Sequence, residues 1–414
     1  MRDVRALYAF SFLKSLQFFG AVAVPFYTLR IGMGYAQMFT LEMIFSAAMM
    51  ALEIPTGIVA DRWGRKVSLV LGSGFLAGGF LMFGIFRSFA FLAAGELVCA
   101  VGMTLVSGAD KALLYEVARR SSAARPGEPG QDAATIFSRY EAAGTAGLFI
   151  SFPLGSLFAG SGLVPYNAAL GLVFVFTAAA LALSGLAALQ VAETLSAESR
   201  AAPKPFLKQG AEGFLRIFRT PQLRSFGLNY AVISALTFFM FWFYQSLLAR
   251  EGVPVAWHGF VGAGFNLFAT LLLRATPAVR RRLGTGRTLL WSSLIPGVLY
   301  CAAGLAPGLA VTLIAIFGVT GLKLFRAPLL SALMNEWIDD ESRATVLSGI
   351  SMLERVLIAA LYPAVGALAD LSLSATLVGL GCLTVASSLA LRVGAGAAPA
   401  ANGSAPAAPA GEAP

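Results

Sequence analysis

Histidine occurs once in 414 residues, cysteine three times, and Asp, Glu, Lys and Arg together make up only 12% of the chain. Each scarcity excludes something. The lone His258 has no Cys or Asp cluster beside it in the sequence, which leaves metal centres and Cys-His catalysis without donors and makes it an interfacial side chain in expectation. Cys99, Cys301 and Cys382 each lie inside an apolar run, with no Cys-x-x-Cys or secreted-disulfide spacing, so free thiols are expected. No Gly-x-x-x-x-Gly-Lys-Ser/Thr occurs, which excludes ATP hydrolysis by a P-loop. No metal, cofactor or enzymatic activity is implied. Soluble domains carry about 25% charged residues, so this chain is not built to be wetted on all sides.

What is present instead is hydrocarbon. Hydrophobic residues make up 57% of the chain against a usual ~45–50%, and the mean hydropathy is +0.76. The 44 glycines suit helices that approach closely in lipid. Soluble enzymes, disordered proteins and collagen-like fibres are excluded, and an all-α membrane protein is expected. A spanning helix needs about 20 apolar residues. Apolar segments fall near 6–30, 37–60, 67–87, 90–117, 134–160, 165–191, 223–249, 255–278, 287–305, 308–335, 343–369 and 372–392, which makes twelve. The first is longer than the ~7–15-residue core of a signal peptide, so it is expected to stay as an uncleaved helix.

A polar stretch from Glu193 to Arg224 separates the sixth segment from the seventh. Within it Phe206, Leu207, Phe214, Leu215, Ile217 and Phe218 alternate with charges at roughly helical spacing. That pattern suits either a helix lying on the membrane surface or a solvated loop. The residues from Val393 onward are mostly Ala, Gly and Pro and are expected to be disordered. The organisation expected is therefore a six-helix bundle over 1–192, a cytoplasmic linker over 193–222, a second bundle over 223–392, and a tail over 393–414.

A net charge of +9 and a pI near 9.7 would suggest nucleic acid in a soluble protein. Their placement gives them a different meaning. Twenty of the thirty Lys and Arg residues fall on alternate loops and tails, including Arg62, Arg65, Lys66, Arg119, Arg120, six linker residues, Arg280, Arg281, Arg282 and Arg287. The opposite side holds only Arg30, Arg87 and Arg250. This bias places both termini in the cytoplasm. Alanine and arginine richness points to a GC-rich bacterial genome, hence a bacterial inner membrane.

The two halves repeat each other. Ser15-Leu16-Gln17-Phe18-Phe19 matches Ala235-Leu236-Thr237-Phe238-Phe239, Gly64-Arg65 matches Gly286-Arg287, and Ala134-Thr135-Ile136-Phe137-Ser138 matches Ala344-Thr345-Val346-Leu347-Ser348. The offsets are near-constant and the order is shared. After the second segment stands Gly57-Ile58-Val59-Ala60-Asp61-Arg62-Trp63-Gly64-Arg65-Lys66. With twelve helices and a duplicated half, this pattern resembles the major facilitator superfamily of secondary transporters. Leu52 to Gly57, Ser107 to Glu116 and Arg343 to Ser348 are similar to segments of its bacterial drug and macrolide efflux branch, and the likeness spans nearly all of residues 1–392.

The resemblance implies two pseudo-symmetric six-helix bundles working by alternating access, with Gly57, Asp61, Arg62, Gly64, Arg65 and Lys66 as a cytoplasmic gate. It implies proton-coupled efflux of an amphiphilic small molecule by a monomer in a lipid bilayer, without nucleic acid or ATP. The sequence departs from the branch in two places. The Gly-Pro-x-x-Gly-Gly run expected in helix 5 is reduced to Phe152-Pro153-Leu154-Gly155-Ser156, and helix 4 lacks the arginine many drug antiporters carry.

Charges inside a spanning helix cost roughly 2.5–3.5 kcal/mol at its centre, so they persist when paired, hydrated or used. At 1.5 Å per residue from the arginine-rich ends, Lys14, Glu53, Asp110, Lys111, Arg139, Glu141, Arg326, Glu354 and Arg355 lie about 10–18 Å deep, near the middle of a ~30 Å core. Lys323 sits a turn further out. Helices 3, 6, 9 and 12 have no such charge and are expected to face lipid, the others surrounding a hydrated cavity.

Asp110, Glu354, Glu53 and Glu141 are the candidates for proton coupling, because a carboxylate whose burial or cation partner changes can change its protonation. Lys14, Gln17, Phe18, Lys111, Arg139, Phe238, Phe239, Trp242, Tyr244, Gln245, Lys323, Arg326 and Arg355 are the candidate substrate contacts. Lys323 and Arg326 share a helix face. They keep open the alternative of a carrier for an anionic metabolite, and a non-transporting membrane sensor or assembly factor is a third possibility.

Overall fold

The computed structural model describes residues 2–124, 132–192, 212–213, 215, 217–219, 221–335 and 340–392. The expected tail, most of the linker and the side chain of Asp61 lie outside the described residues. The described chain is helical, with eleven spans long and apolar enough to cross a membrane and a twelfth formed by a bent pair. That pair is α1, Arg2–Ala21 followed by Ala23–Ile31, bent by 58°. The first half continues with α2 (Tyr35–Trp63), α3 (Arg65–Ile85), α4 (Phe89–Ala124), α5 (Ala133–Gly160) and α6 (Tyr166–Leu189). The second half comprises α7 (Leu223–Arg250), α8 (Val255–Leu283), α9 (Thr285–Leu305), α10 (Leu309–Asn335), α11 (Asp340–Leu371) and α12 (Leu373–Ala390).

The break in α1 follows Lys14 and frees backbone N–H groups at membrane depth, where no water replaces the lost helix bonds. Other helices supply the acceptors. The Gln17 N–H donates to Ser151 Oγ of α5 at 3.1 Å, and the Val24 N–H donates to Gln245 Oε1 of α7 at 3.0 Å. Asp132 caps α5 by accepting from the Thr135 N–H at 2.9 Å. That bond, with the Thr135 hydroxyl, holds the Asp132 carboxyl below the usual carboxylate range.

Within the halves α3 packs on α4 and α6, and α9 on α10 and α12. These charge-poor helices keep apolar side chains such as Leu81, Leu183, Val298 and Leu383 exposed, as a lipid-facing layer does. The halves meet through α5 with α8, α2 with α11, and the tail of α1 with α7. The Phe152-to-Ser156 segment of α5 is a packing knuckle. A Cβ on Gly155 would collide with the Phe18 carbonyl of α1, and one on Gly259 of α8 with the Phe152 carbonyl.

The internal repeat is visible in backbone geometry. Gly32 and Gly252 turn the chain after α1 and α7 at φ of 82° and 73°, and Gly64 and Gly284 turn it after α2 and α8 at 96° and 76°. Both pairs are 220 residues apart. The partner of Gly64 is thus Gly284 and not Gly286, because only Gly284 adopts the left-handed conformation and Gly286 already lies inside α9. The described part of the linker is helical. Its Ile217 is buried with Phe226, Val346 and Ile350 of the second half while Leu215 and Phe218 stay exposed, so one face rests on protein and it is not a solvated loop there.

Replacing Gly259 with Val would push α8 off the Phe152 carbonyl and Ser156 Oγ. The distance between spin labels at Ser161 and Gly252, measured by electron–electron resonance, should lengthen. An unchanged distance distribution would show that this contact does not hold the halves together.

Candidate functional site

Lys14, the last residue before the break in α1, reaches Asp110 of α4 at 2.8 Å. Tyr140 of α5 completes the cluster, its hydroxyl donating to the same Asp110 oxygen at 3.2 Å and accepting from Lys14 Nζ at 3.4 Å. The ammonium also lies 5.2 Å from the Phe10 ring centroid and 5.7 Å from that of Tyr140. Three helices are tied by one carboxylate, 7% exposed against 24% for the lysine. Neutralising that carboxylate would remove its attraction for Lys14.

The second half carries the same elements in permuted positions. Tyr230, Arg326 and Glu354 stand 216, 216 and 214 residues after Lys14, Asp110 and Tyr140, on α7, α10 and α11. The hydroxyl of Tyr230 lies within the electrostatic reach of both Glu354 and Arg326. Arg326 is fully buried and donates to the Leu289 carbonyl at 3.1 Å, Ser292 Oγ at 2.9 Å and Asn229 Oδ1 at 2.5 Å. It clamps α7, α9 and α10. Lys323 instead lines the space between the halves, 4.5 Å from the Phe238 ring centroid and within the field of Glu354. The two cations therefore do not form one anion-binding face, because the guanidinium is held by neutral acceptors inside the bundle.

Two cavities reach the middle of the molecule. One, of about 370 Å³, lies between the halves and is lined by Gln17, Phe152, Phe238, Phe241, Asn266 and Lys323 among others. The second, of about 380 Å³, lies mainly in the first half and includes Lys14, Gln17, Asp110, Glu42, Glu96 and Trp242. Gln17 belongs to both, beside the break of α1. Glu42 and Glu96 were not among the expected site residues. Both stand seven residues in from the start of their helices, Tyr35 and Phe89, about 10 Å deep. Depth counted from the arginine-poor end would have paired them.

Other expected contacts serve different purposes. Lys111 and Glu141 form an ion pair at 3.3 Å that is 68% and 61% exposed, and Arg139 is exposed on α5. Phe18 packs edge-on against Phe176 of α6. Gln245 Nε2 and the Tyr244 hydroxyl both donate to the Gly20 carbonyl, at 2.9 and 3.3 Å, so these polar tips hold α7 to α1. Glu53 of α2 lies within the field of Arg355 of α11, across the interface. His258 is buried, not interfacial, with Nε2 3.1 Å from the Val253 carbonyl.

On the arginine-poor side the halves are sealed. Phe39 of α2 packs against Phe239, Trp242 and Phe243 of α7 and Tyr362 of α11, with centroids 5.4–6.2 Å apart. Phe239 thus belongs to a seal and not to a binding surface. Above the aromatics, Asp370 of α11 accepts from the Tyr35 and Ala36 N–H groups at 2.6 and 2.9 Å and so caps α2 from the opposite half. The Tyr35 hydroxyl donates to Ser246 Oγ at 2.5 Å.

This arrangement was compared with known proteins. No family model and no curated sequence matches the chain. Among solved structures, it is similar to the nucleoside transporter NupG, with a TM-score of 0.78, 15% identity and coverage of 94% of this chain and 98% of that one. It is similar to a POT family transporter in complex with 5-aminolevulinic acid, with a TM-score of 0.69, 14% identity and 95% and 96% coverage. A bacterial homolog of the human lysosomal transporter Spinster, in an inward-facing and unoccupied conformation, gives a TM-score of 0.69, 18% identity and 96% and 95% coverage. The fold is the major facilitator fold.

Within that fold, the loop after α2 is held in place by Gly64 and Arg65. Arg65 pairs with Glu116 of α4 at 2.6 Å and donates to the Ala112 carbonyl at 3.0 Å. Arg62 is exposed and Lys66 opens α3 half-buried. A Cβ on Gly57 would meet no described atom within 4 Å, so no neighbouring helix packs closely on it among the described residues. The far side is shut by the contacts around Phe39 and by the Asp370 cap.

Asp370→Asn keeps the shape of the cap and removes its charge. Charge-assisted bonds contribute about 1.5–3 kcal/mol, less at an exposed site, so deuterium uptake at the Tyr35 and Ala36 amides should rise about tenfold. Arg326→Met should lower the unfolding temperature of the detergent-solubilised protein, because Asn229 and Ser292 lose a buried donor, and Arg326→Lys should not restore it.

Proposed function

We propose that the chain is a secondary transporter that works by alternating access and exports an amphiphilic small molecule in exchange for protons. Its arginine-rich side is the cytoplasmic face of a bacterial inner membrane, with both termini on that face. Residues 1–192 and 223–392 are the two moving halves, 193–222 their linker and 393–414 a tail, and the working unit is the monomer. The arrangement described above is then the one closed to the outside.

A single observation carries this reading: the Lys14–Asp110–Tyr140 cluster lines a cavity of about 380 Å³ that shares Gln17 with the cavity between the halves. A buried carboxylate whose cation among the described residues is a lysine at a helix break can exchange that partner for a proton, and the exchange loosens α1 from α4. The aromatic walls and few polar groups suit an apolar body with a polar end. Glu354, beside Lys323 and Tyr230, is the second station for a proton, with Glu53 and Glu141 further from the cavities. The guanidinium of Arg326 is engaged by neutral acceptors, which weakens the case for an anionic metabolite.

In proteoliposomes with an imposed pH difference, Asp110→Asn should abolish gradient-driven flux of the transported compound, leaving a monodisperse protein with unchanged helix content. Gradient-driven flux at the wild-type rate would remove Asp110 from the coupling step. Competition of flux by organic anions, with none by neutral or cationic dyes, would favour the anion carrier instead.

A further inference from the structure

The cavity in the first half holds more carboxyl groups than the coupling step uses. Its charged lining consists of Lys14, Asp110, Glu42 and Glu96. Lys14 is engaged with Asp110 at 2.8 Å. That leaves Glu42 of α2 and Glu96 of α4 without a lysine or arginine partner among the described residues. Glu96 is 6% exposed. The two carboxylates are near enough for the charge of one to act on the other, and the Tyr27 hydroxyl faces Glu96.

Ionised carboxylates this deep in a hydrocarbon surround cost several kcal/mol each, so such a pair keeps its protons until something positive shares the space. The adjoining walls are aromatic faces, Phe80, Phe83 and Phe174 among them, which attract cations and not anions. A separate feature also points to an occupant. Trp242 is 5% exposed and lines the cavity, and its Nε1–H makes no hydrogen bond of good geometry, with the Tyr362 hydroxyl only a weak acceptor beside it. A buried indole N–H donates when an acceptor is present.

We propose that this cavity binds an amphiphilic organic ammonium. Its N–H groups donate to Glu42 and Glu96, its apolar body lies against Phe80, Phe83 and Phe174, and an ether, hydroxyl or carbonyl oxygen accepts from Trp242 Nε1. The volume of about 380 Å³ is at the small end of the ~300–1,000 Å³ range of ligand pockets, so the ligand is compact. Trp242 comes from the second half and packs on Phe39 of the seal at 6.2 Å, so an occupant of the first half also touches the element that shuts the outer side. The inference rests on the transporter reading for what the site is for, and on the cavity itself for what it binds.

The test uses the purified full chain in nanodiscs and two probes of matched size. Propranolol is a naphthyl secondary amine with ether and hydroxyl oxygens, and naproxen is a naphthyl carboxylate. Radioligand binding should be saturable for propranolol and absent for naproxen. Glu96→Gln and Glu42→Gln should each weaken propranolol binding at least tenfold, and Trp242→Phe several-fold, with unfolding temperatures near that of the wild type. Glu96→Asp, which keeps the charge, should recover part of the binding and so separates a ligand role from a folding defect. No amine binding to the wild type, equal binding of naproxen, or binding unchanged in both glutamine variants overturns the proposal. Binding without flux in proteoliposomes supports the site and counts against transport; flux of a neutral amphiphile without amine binding does the reverse.

Discussion

A charge or an unpaired backbone N–H inside a bilayer has no water to turn to. Most of the architecture described here follows from that constraint. The helices that carry buried charges meet around cavities or clamp one another, and the charge-poor helices α3, α6, α9 and α12 are left to face lipid. Where α1 leaves helical geometry, its freed N–H groups are taken by Ser151 and Gln245. The same break brings Lys14 to Asp110. An irregular backbone at membrane depth is tolerated because it lines a cavity and other helices complete its hydrogen bonds.

The repeat of the chain is also a repeat of chemistry, with the parts redistributed. Each half has a cation, a carboxylate and a tyrosine at matching positions, but the acid stands on α4 in the first half and on α11 in the second. This permutation gives the halves different roles. In the first half the lysine and carboxylate bond directly at the edge of a cavity. In the second half the arginine is fixed by neutral oxygens and acts as a structural clamp, while Lys323 lines the space between the halves within the field of Glu354.

The seal on the arginine-poor side combines two kinds of contact. Aromatic packing around Phe39 excludes water without committing a fixed geometry, whereas the Asp370 cap on α2 is directional. Burial of the aromatic faces is favourable but non-directional, and the short charge-assisted cap fixes the register of α2 against α11. On the other side, the loop after α2 is braced within its own half by Arg65 and Glu116.

Hydrophobic run length and repeat spacing determined the spans and their duplication, since both properties are local to a segment. The depth of Asp110 and Lys14 was legible in the same way, because helical rise converts residue number into distance. The partners of those charges were not. Arg326 and Lys323 stand one turn apart, yet one is enclosed by α7 and α9 and the other lines a cavity, a distinction set by the rotation of α10 against its neighbours. Gln245, Tyr244 and Phe239 lie in an aromatic run that reads as a binding surface, and only the approach of α1 and α2 turned it into a seal. Glu42 and Glu96, 54 residues apart in sequence, became one carboxylate pair because α2 and α4 begin on the same side and pack together, and no local pattern encodes which helices become neighbours.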